Sequence, residues 1–263
     1  MIDLPTFVTK TTDLRSLYRV LFLGSGIRGT EPVAVRMRFL SGLPVYLRPG
    51  TADVYVARNL AVQQPHLPPH EIRVDDARLV WDLGANIGLA AFDYAVRWPR
   101  ARVIAVELEP ENAELCRRNL SRFGQRCEVV QAAIWPTDGE IGLEARSSSD
   151  GSTLETNSYR ASASAVSDGA IPAISLDTLL ARIGEWHTVD YCKLDVEGAE
   201  RSVLRGDAEW AKAVARIAVE VHGDYTAADC RNDLTRLGFH VCQGSEDNLV
   251  FGAHTPVVST AAR

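Results

Sequence analysis

The sequence predicts an α/β fold built on a doubly wound, mostly parallel sheet. From residue 79 onward, short apolar segments alternate with segments whose apolar residues recur at helical spacing. Such alternation is typical of parallel strands joined by right-handed helical crossovers. The first apolar segment also runs directly into a glycine-bearing turn and a helix. The predicted strands are residues 79–83, 103–106, 128–133, 141–143, 191–194, 216–221, 239–242 and 249–251, and the predicted helices are residues 88–98, 110–123, 176–183, 199–204 and 227–237.

A smaller N-terminal part precedes this core. Apolar residues at helical spacing predict a helix over residues 13–24, and two apolar segments around Ser41 and Gly42 predict a β-hairpin over residues 33–47. A further helix is predicted after Asp53. We therefore expect residues 1–70 to form an extension that packs on a main domain of residues 71–263.

Composition favours an ordinary globular protein that acts on small molecules. The chain has 263 residues, of which 46% are hydrophobic, and its net charge is −6. Its apolar runs are too short for a membrane span, and no signal-peptide pattern is present, so a cytoplasmic protein is expected. The acidic balance and the lack of basic tracts argue against a nucleic-acid partner. The oligomeric state stays open, a homodimer included.

The five cysteines are odd in number and widely spaced, without a C-x-x-C pair. This pattern argues against a disulfide framework and against a zinc site, so we expect reduced thiols.

Residues 82–88 are typical of a nucleotide-like cofactor site. Gly84 and Gly88 let the main chain approach a ligand, and the helix that follows offers free N–H groups. Glu107 ends the next strand, where an acid usually binds a ribose diol. The spacing is D-x-G-x-x-x-G rather than G-x-G-x-x-G, and Asp82 would repel a pyrophosphate but attract the amino group of a methionine. The pattern therefore favours S-adenosylmethionine, with predicted contacts from Asp82, Gly84, Ala85, Asn86, Gly88 and Glu107.

At this point the chain resembles the FkbM family of class I S-adenosylmethionine-dependent methyltransferases, from about residue 47 to residue 251. The strongest match is Lys193-Leu194-Asp195-Val196-Glu197-Gly198-Ala199-Glu200. One departure is Leu108, where the family usually has proline after the ribose-binding acid. The other matching segments are residues 47–56, 82–88, 106–107, 110–112, 150–154, 175–177 and 219–222.

The resemblance implies a Rossmann-like seven-stranded sheet, S-adenosylmethionine as methyl donor, and an oxygen acceptor on a sugar, a polyketide or a related natural product. Near the start of the matching stretch, Asp53 either contacts the carboxylate side of the cofactor or caps a helix. An N-methyltransferase of an amino sugar or other small amine, and a cofactor-binding module without catalysis, remain alternatives. A nucleic-acid methyltransferase is disfavoured because the chain lacks a D/N-P-P-Y/F/W motif.

Asp195 and His222 are the predicted catalytic residues. An alcohol keeps its proton at neutral pH, so a base or a metal ion must assist the transfer. Both residues are predicted at the carboxyl ends of strands, where ligands bind in open α/β sheets. The alternatives are a helix cap for Asp195 and a histidine without a catalytic role at the strand end for His222. Glu197 could join Asp195 in binding Mg²⁺, whereas Glu200 is expected to be structural.

Two other segments are ambiguous. The serine-rich residues 146–170 predict either a lid over the substrate or a solvated surface loop. His66 and His70 lie in a proline-rich connector and are expected to be solvated.

Overall fold

The computed structural model describes residues 10–23, 31–145, 159–162, 171–184, 188–206, 209–243 and 247–254. Within these ranges the chain forms the following helices and strands. They are α1 (Leu14–Leu23), β1 (Val33–Arg36), β2 (Pro44–Leu47), α2 (Asp53–Val62), β3 (Leu79–Leu83), α3 (Leu89–Arg97), β4 (Arg102–Glu107), α4 (Pro110–Leu120), β5 (Cys127–Gln131), β6 (Ala133–Ile134), β7 (Gly139–Ala145), β8 (Tyr159–Ser162), β9 (Ile171–Ile174), α5 (Leu176–Ala181), β10 (Tyr191–Leu194), α6 (Glu200–Arg205), β11 (Arg216–Glu220), α7 (Ala227–Arg236), β12 (His240–Gln243) and β13 (Leu249–Ala253).

Seven strands form the central sheet in the order β5-β4-β3-β10-β11-β13-β12. The first five run parallel to one another, and β13 is antiparallel to both β11 and β12. The chain leaves β3 toward β4 on one side and later returns to β10 on the other side. The strand order therefore reverses between β3 and β10, and open α/β sheets bind ligands at this switch point. The predicted Rossmann-like, mostly parallel α/β fold is confirmed.

The N-terminal elements pack on the same core as the sheet. Strands β1 and β2 pair antiparallel, as predicted. Val20, Leu40 and Leu60 belong to one apolar cluster with Val80 of β3 and Phe92 of α3. Burial of this shared apolar surface places α2 beside the carboxyl edge of the sheet.

A buried asparagine supports the turn after β3. Asn119 in α4 accepts a hydrogen bond of 2.7 Å from the N–H of Tyr46. Its amide nitrogen donates to the carbonyl of Ile87 at 2.9 Å. Asn119 thus links β2, α4 and the glycine turn through polar groups that are removed from water.

A second sheet, in the order β6-β9-β7-β8, was not predicted as such. Only a strand at residues 141–143 was expected there, because β6 and β9 are short and β8 follows a stretch with little apolar content. Of the serine-rich residues 146–170, residues 159–162 form β8, which pairs with β7. The remainder of that stretch lies outside the described residues.

All five cysteines lie within the described ranges, and no disulfide joins any two of them. No helix in those ranges has both the length and the apolar character needed to cross a bilayer.

Candidate active site

The turns after β3 and β10 are in main-chain contact at the switch point. Gly84 has a φ of +81°, and a Cβ atom placed on it would lie 1.7 Å from the carbonyl oxygen of Asp195. The N–H of Asp195 donates to the carbonyl of Leu83 at 2.9 Å. Each turn also holds a non-glycine residue in the left-handed region, Asn86 at φ +51° and Glu197 at φ +53°. Such conformations are costly and concentrate at functional sites.

A cavity of about 280 Å³ opens where these turns meet. Helix α2, the glycine turn with the first turn of α3, and the ends of β10 and β11 form its walls. The lining brings together six of the predicted site residues: Gly84, Ala85, Asn86, Asp195, Glu197 and His222. Asp82, Gly88, Glu107 and Asp53 are not among the lining residues.

Asp82 lies buried at the end of β3, and both of its carboxylate oxygens lack a hydrogen-bond partner. Lys193 forms an ion pair with it at 3.5 Å. Burial raises the pKa of Asp82, and the charge of Lys193 opposes this shift. The N–H of Ala91, in the first turn of α3, also lowers that pKa. A buried carboxylate with free acceptor positions fits a cationic donor such as the amino group of a methionine.

Glu107 supports the glycine turn from the end of β4. One oxygen accepts a hydrogen bond of 2.7 Å from the N–H of Asn86, and the other accepts one of 2.8 Å from the N–H of Glu109. Burial raises the pKa of Glu107 to about 7 in spite of these hydrogen bonds. The side chain of Asn112 also donates toward this carboxylate, which has about four lone-pair positions and can therefore still accept from a ribose diol.

Asp53 is engaged away from the cavity. Its two oxygens accept hydrogen bonds from the N–H, Nε and Nη2 of Arg48 at 2.8–3.0 Å. Arg48 also donates to Asn112 at 2.7 Å. The structure therefore places Asp53 in an ion pair at the start of α2.

Four carboxylates surround His222, which follows β11. Its Nδ1 lies 2.9 Å from Glu200, which is fully buried. Its Nε2 lies 3.6, 3.7 and 3.8 Å from oxygens of Glu197, Asp195 and Glu220. Burial lowers the pKa of His222, but the hydrogen bond with Glu200 and the charges of Glu197 and Asp195 outweigh it and raise the pKa to about 9. The imidazole is therefore cationic at neutral pH.

Glu200 holds His222 and the turn after β10 in place. Besides its contact with His222, it accepts hydrogen bonds from the N–H groups of Val196 and Gly198 at 2.9–3.1 Å. This agrees with the structural role expected for Glu200.

Lys193 joins the two sides of the site. Its Nζ donates to Asp195 at 2.9 Å and to the carbonyl of Gly84 at 3.4 Å, and it lies 3.5 Å from Asp82. Burial lowers the pKa of Lys193, but the charges of Asp195 and Asp82 outweigh burial and raise the pKa above its ordinary value. One ammonium group thus bridges Asp82 of β3 and Asp195. Asp195 belongs to the acid cluster, which is the set of carboxylates around His222 formed by Asp195, Glu197, Glu200 and Glu220.

Sequence reasoning assigned no role to Glu220, which lies at the carboxyl end of β11. Together with Asp195 and His222, it offers ligand atoms within 4.8 Å of one another that could hold a metal ion. Glu197, predicted as a metal ligand, is not part of that group. Burial and the charge of Asp195 raise the pKa of Glu220 to about 7. The strand-end rule that singled out Asp195 applies equally to Glu220.

The expectation that His66 is solvated is wrong. The residue is 1% exposed and lines the cavity. Its hydrogen bond with Asp93 of α3 holds the side chain inside, and sequence spacing does not reveal this contact. His70 is exposed, as expected.

The switch-point cavity, the buried acid of the glycine turn and the seven-stranded sheet define a class I S-adenosylmethionine-dependent methyltransferase. A model of the methyltransferase FkbM domain matches residues 82–241. The chain belongs to the FkbM methyltransferase family.

Two curated relatives are similar to this chain. Hexuronic acid methyltransferase AglP of Haloferax volcanii is 27% identical over 179 residues, which cover 67% of this chain and 70% of AglP. The AMB antimetabolite synthetase AmbE of Pseudomonas aeruginosa is 28% identical over 228 residues, which cover 71% of this chain. The chain spans 10% of the length of AmbE.

Among solved structures, the precorrin-6y C5,15-methyltransferase of Geobacter metallireducens has a TM-score of 0.40 and 15% identity. The match covers 69% of this chain and 81% of that one.

Proposed function

We propose that this methyltransferase transfers the methyl group of S-adenosylmethionine to a hydroxyl oxygen of a small natural product or a sugar. The observation that carries the proposal is the group formed by Asp195, Glu220 and His222, which lines the same cavity as the glycine turn. A hydroxyl group must lose its proton during transfer, and this group supplies proton-accepting oxygens. AglP, named as a hexuronic acid methyltransferase, is a relative compatible with a sugar acceptor.

On the donor side, the chain offers groups that match the polar parts of S-adenosylmethionine. Neither buried oxygen of Asp82 has a hydrogen-bond partner within the protein, and we assign them to the amino group of the methionine. Glu107 would accept from the ribose hydroxyls, and Gly84, Ala85 and Asn86 line the cavity. When bound, S-adenosylmethionine supplies an electrophilic methyl group on a sulfonium.

On the acceptor side, we assign Asp195 and Glu220 to proton removal and His222 to charge stabilisation. Lys193 donates a hydrogen bond to one carboxylate oxygen of Asp195, and the second oxygen lies 3.7 Å from Nε2 of His222. A carboxylate in this position can accept the hydroxyl proton. The cationic imidazole favours negative charge on the acceptor oxygen as the proton leaves.

A divalent cation at this cluster is a second hypothesis. Asp195, Glu220 and His222 provide two carboxylates and one imidazole, a donor set that suits Mn²⁺ better than Mg²⁺ because Mg²⁺ prefers oxygen ligands. A bound cation would displace the proton from His222 and would lower the pKa of an acceptor hydroxyl.

An amine acceptor is the competing substrate class, and the charge of the cavity favours it. The lining contains three carboxylates, from Asp195, Glu197 and Glu220, against the two cationic groups of Lys193 and His222. An excess of negative charge attracts a cationic amine. An amine acceptor would need less help with proton removal.

The two acceptor classes can be separated with labelled methyl donor and paired acceptors. Purified protein is incubated with S-adenosylmethionine and either hydroxyl-bearing uronic acids and sugars or the matching amino sugars. We expect transfer to the hydroxyl compounds, and we expect Asp195→Asn and His222→Gln to lose most of it while calorimetry shows unchanged cofactor affinity. Asp224→Asn is the matched control, since its side chain is 89% exposed. Transfer to amines alone, or full activity in both cavity variants, would contradict the proposal.

A further inference from the structure

Helix α2 presents an aromatic and an amide side chain to the cavity. Tyr55 and Asn59 both line it, and they lie four residues apart in α2, so their side chains are neighbours on one face of the helix. Another face is buried through Val54, Ala57 and Ala61, which belong to the apolar cluster of the core. The core therefore holds α2 in place without using Tyr55 or Asn59.

Tyr55 is an exposed aromatic residue at the mouth of the cavity. It is 62% exposed although it lines the cavity. Among the described residues, Leu14, Tyr18 and Val62 are exposed large apolar side chains as well, but none of these three lines the cavity. A tyrosine ring at the entrance of a site offers a ligand a large contact area at a small cost in side-chain entropy.

Asn59 places hydrogen-bonding groups beside that ring. It is half-buried and lines the cavity, so a ligand can reach its side chain. The amide has one acceptor oxygen and two N–H donors, and it carries no charge. A hydroxyl group, which both donates and accepts, matches such an amide.

The cavity extends away from the group assigned to the ribose. Its strand residues come from β10, β11 and β13, which lie on one side of β3 in the sheet. Glu107 ends β4, on the other side of β3. None of the described residues that line the cavity comes from β4 or β5. With the ribose at Glu107, the adenosine part of the cofactor lies toward β4, and the space over β10 and β11 is left to the acceptor.

The walls of this space differ in chemistry. The strand ends contribute charged groups, among them Lys193, Asp195 and Glu220, whereas α2 contributes the ring of Tyr55 and the amide of Asn59. A pyranose ring fits such walls, because it has an apolar C–H face and hydroxyl groups around its edge. Since Tyr55 is mostly exposed, the ligand that it contacts also lies partly in water, which suits a hydrophilic ring better than an apolar aromatic one.

We propose that Tyr55 and Asn59 bind the acceptor and that the acceptor is a pyranose. The ring of Tyr55 packs against the C–H face of the sugar, and the amide of Asn59 forms a hydrogen bond with one of its hydroxyl groups. The proposal rests on methyl transfer in this cavity and narrows the acceptor to a sugar. The two residues set acceptor affinity and take no part in proton removal.

Saturation-transfer difference NMR tests the contact without any methyl transfer. The probes are methyl pyranosides of hexoses, hexuronic acids and amino hexoses, each paired with its open-chain alditol or aldonic acid, in the presence of S-adenosylhomocysteine. We expect saturation of the C–H protons on one face of a pyranoside and little saturation of its open-chain partner. Tyr55→Ala should remove the saturation, and Tyr55→Phe, which keeps the ring, should retain it.

Kinetics with the pyranoside that is methylated separates acceptor binding from support of the fold. We expect Tyr55→Ala to raise the KM for the acceptor about threefold to tenfold, with little change in kcat. Asn59→Ala should act in the same direction, and calorimetry should show unchanged affinity for S-adenosylhomocysteine in both variants. Tyr18→Ala is the matched control, because Tyr18 is 70% exposed and does not line the cavity. Its KM and kcat should equal those of the unmodified protein.

The outcomes separate this proposal from the broader one. Unchanged saturation and KM in Tyr55→Ala would overturn it, and so would a parallel loss of acceptor and cofactor affinity, which would show that Tyr55 only supports the fold. Binding of S-adenosylhomocysteine without binding of any pyranoside, or with binding of phenols alone, would also overturn it. Methylation of an amino pyranoside at nitrogen, with the Tyr55→Ala effect intact, would contradict transfer to a hydroxyl and support the roles of Tyr55 and Asn59.

Discussion

Lys193 donates a hydrogen bond of 2.9 Å to Asp195, and the same ammonium group lies 3.5 Å from Asp82. Asp82 is the penultimate residue of β3 and Asp195 follows β10, so the contact crosses the point where the strand order reverses. One cation therefore balances the carboxylate assigned to the cofactor and the carboxylate assigned to the acceptor.

Removal of this cation should destabilise the fold. We expect Lys193→Met to lower the free energy of unfolding by about 3 kcal/mol, because Asp82 would be left buried without a counter-charge. Lys193→Arg should lose less. Urea denaturation followed by circular dichroism measures the difference. The control is Lys212→Met, whose exposed ion pair with Glu209 should contribute less than about 1 kcal/mol. Equal effects at the two lysines would contradict this view of Lys193.

The contact between Gly84 and Asp195 leaves no room for a side chain. We expect Gly84→Ala to abolish cofactor binding and to cost several times more stability than Gly184→Ala. Gly184 also has a positive φ, +62°, but a Cβ there would meet nothing within 4 Å. The control isolates the cost of the left-handed conformation, about 1 kcal/mol. Similar losses of unfolding free energy in both variants would show that the two turns do not press on each other.

Cofactor affinity should rise with pH because of Glu107. Burial raises the pKa of this carboxyl to about 7, and only the ionised form can accept from both ribose hydroxyls. Calorimetry with S-adenosylhomocysteine should show tighter binding at about pH 8 than at about pH 6, and Glu107→Gln should bind weakly without this dependence. If Glu107→Gln kept the full pH dependence, another group would be responsible.

The raised pKa of Glu107 should make the free energy of unfolding fall as the pH rises, whereas it makes cofactor affinity rise. The pKa of Glu107 is 4.5 when unperturbed and about 7 in the fold, so the folded state holds the proton more tightly. The contribution of Glu107 to stability is fully present below about pH 4.5 and is lost as the pH rises through about 7. Denaturation series over this range should show Glu107→Gln losing less stability with rising pH than the unmodified protein. Parallel curves for the two proteins would contradict the raised pKa.

A divalent cation should bind the acid cluster if the metal hypothesis holds. Thermal unfolding of the protein with added Mn²⁺ should then shift upward more than with Mg²⁺. Asp195→Asn and Glu220→Gln should each remove the shift, whereas Glu197→Gln should retain most of it. The absence of any shift with either ion would leave proton removal to the carboxylates alone.

The elements of the core were predictable from the sequence because each depends on a local pattern. Strand β3 is buried along its whole length and is apolar at every position except Asp82. The glycine turn is recognisable because Gly84 and Gly88 have positive φ values that other residues avoid. Asp195 and His222 follow the neighbouring parallel strands β10 and β11. Ligands bind at the carboxyl ends of such strands, so this rule points to both residues.

The remainder of the site depends on contacts between segments that are far apart in the chain. His66 and Asp93 are 27 residues apart, and Lys193 and Gly84 are 109 residues apart. Neither contact has a sequence signature. Asp53 was expected either to contact the carboxylate side of the cofactor or to cap a helix, and its ion pair with Arg48 has no sequence signature either.

The central claim is methyl transfer from S-adenosylmethionine to a hydroxyl oxygen in the switch-point cavity. The most direct measurement is nuclear magnetic resonance of the product formed from ¹³C-methyl-labelled S-adenosylmethionine and an acceptor that carries both a hydroxyl and an amino group. We predict a labelled methyl ether that is lost in Asp195→Asn. A labelled N-methyl group, or S-adenosylmethionine bound without transfer to any acceptor of either class, would contradict the claim.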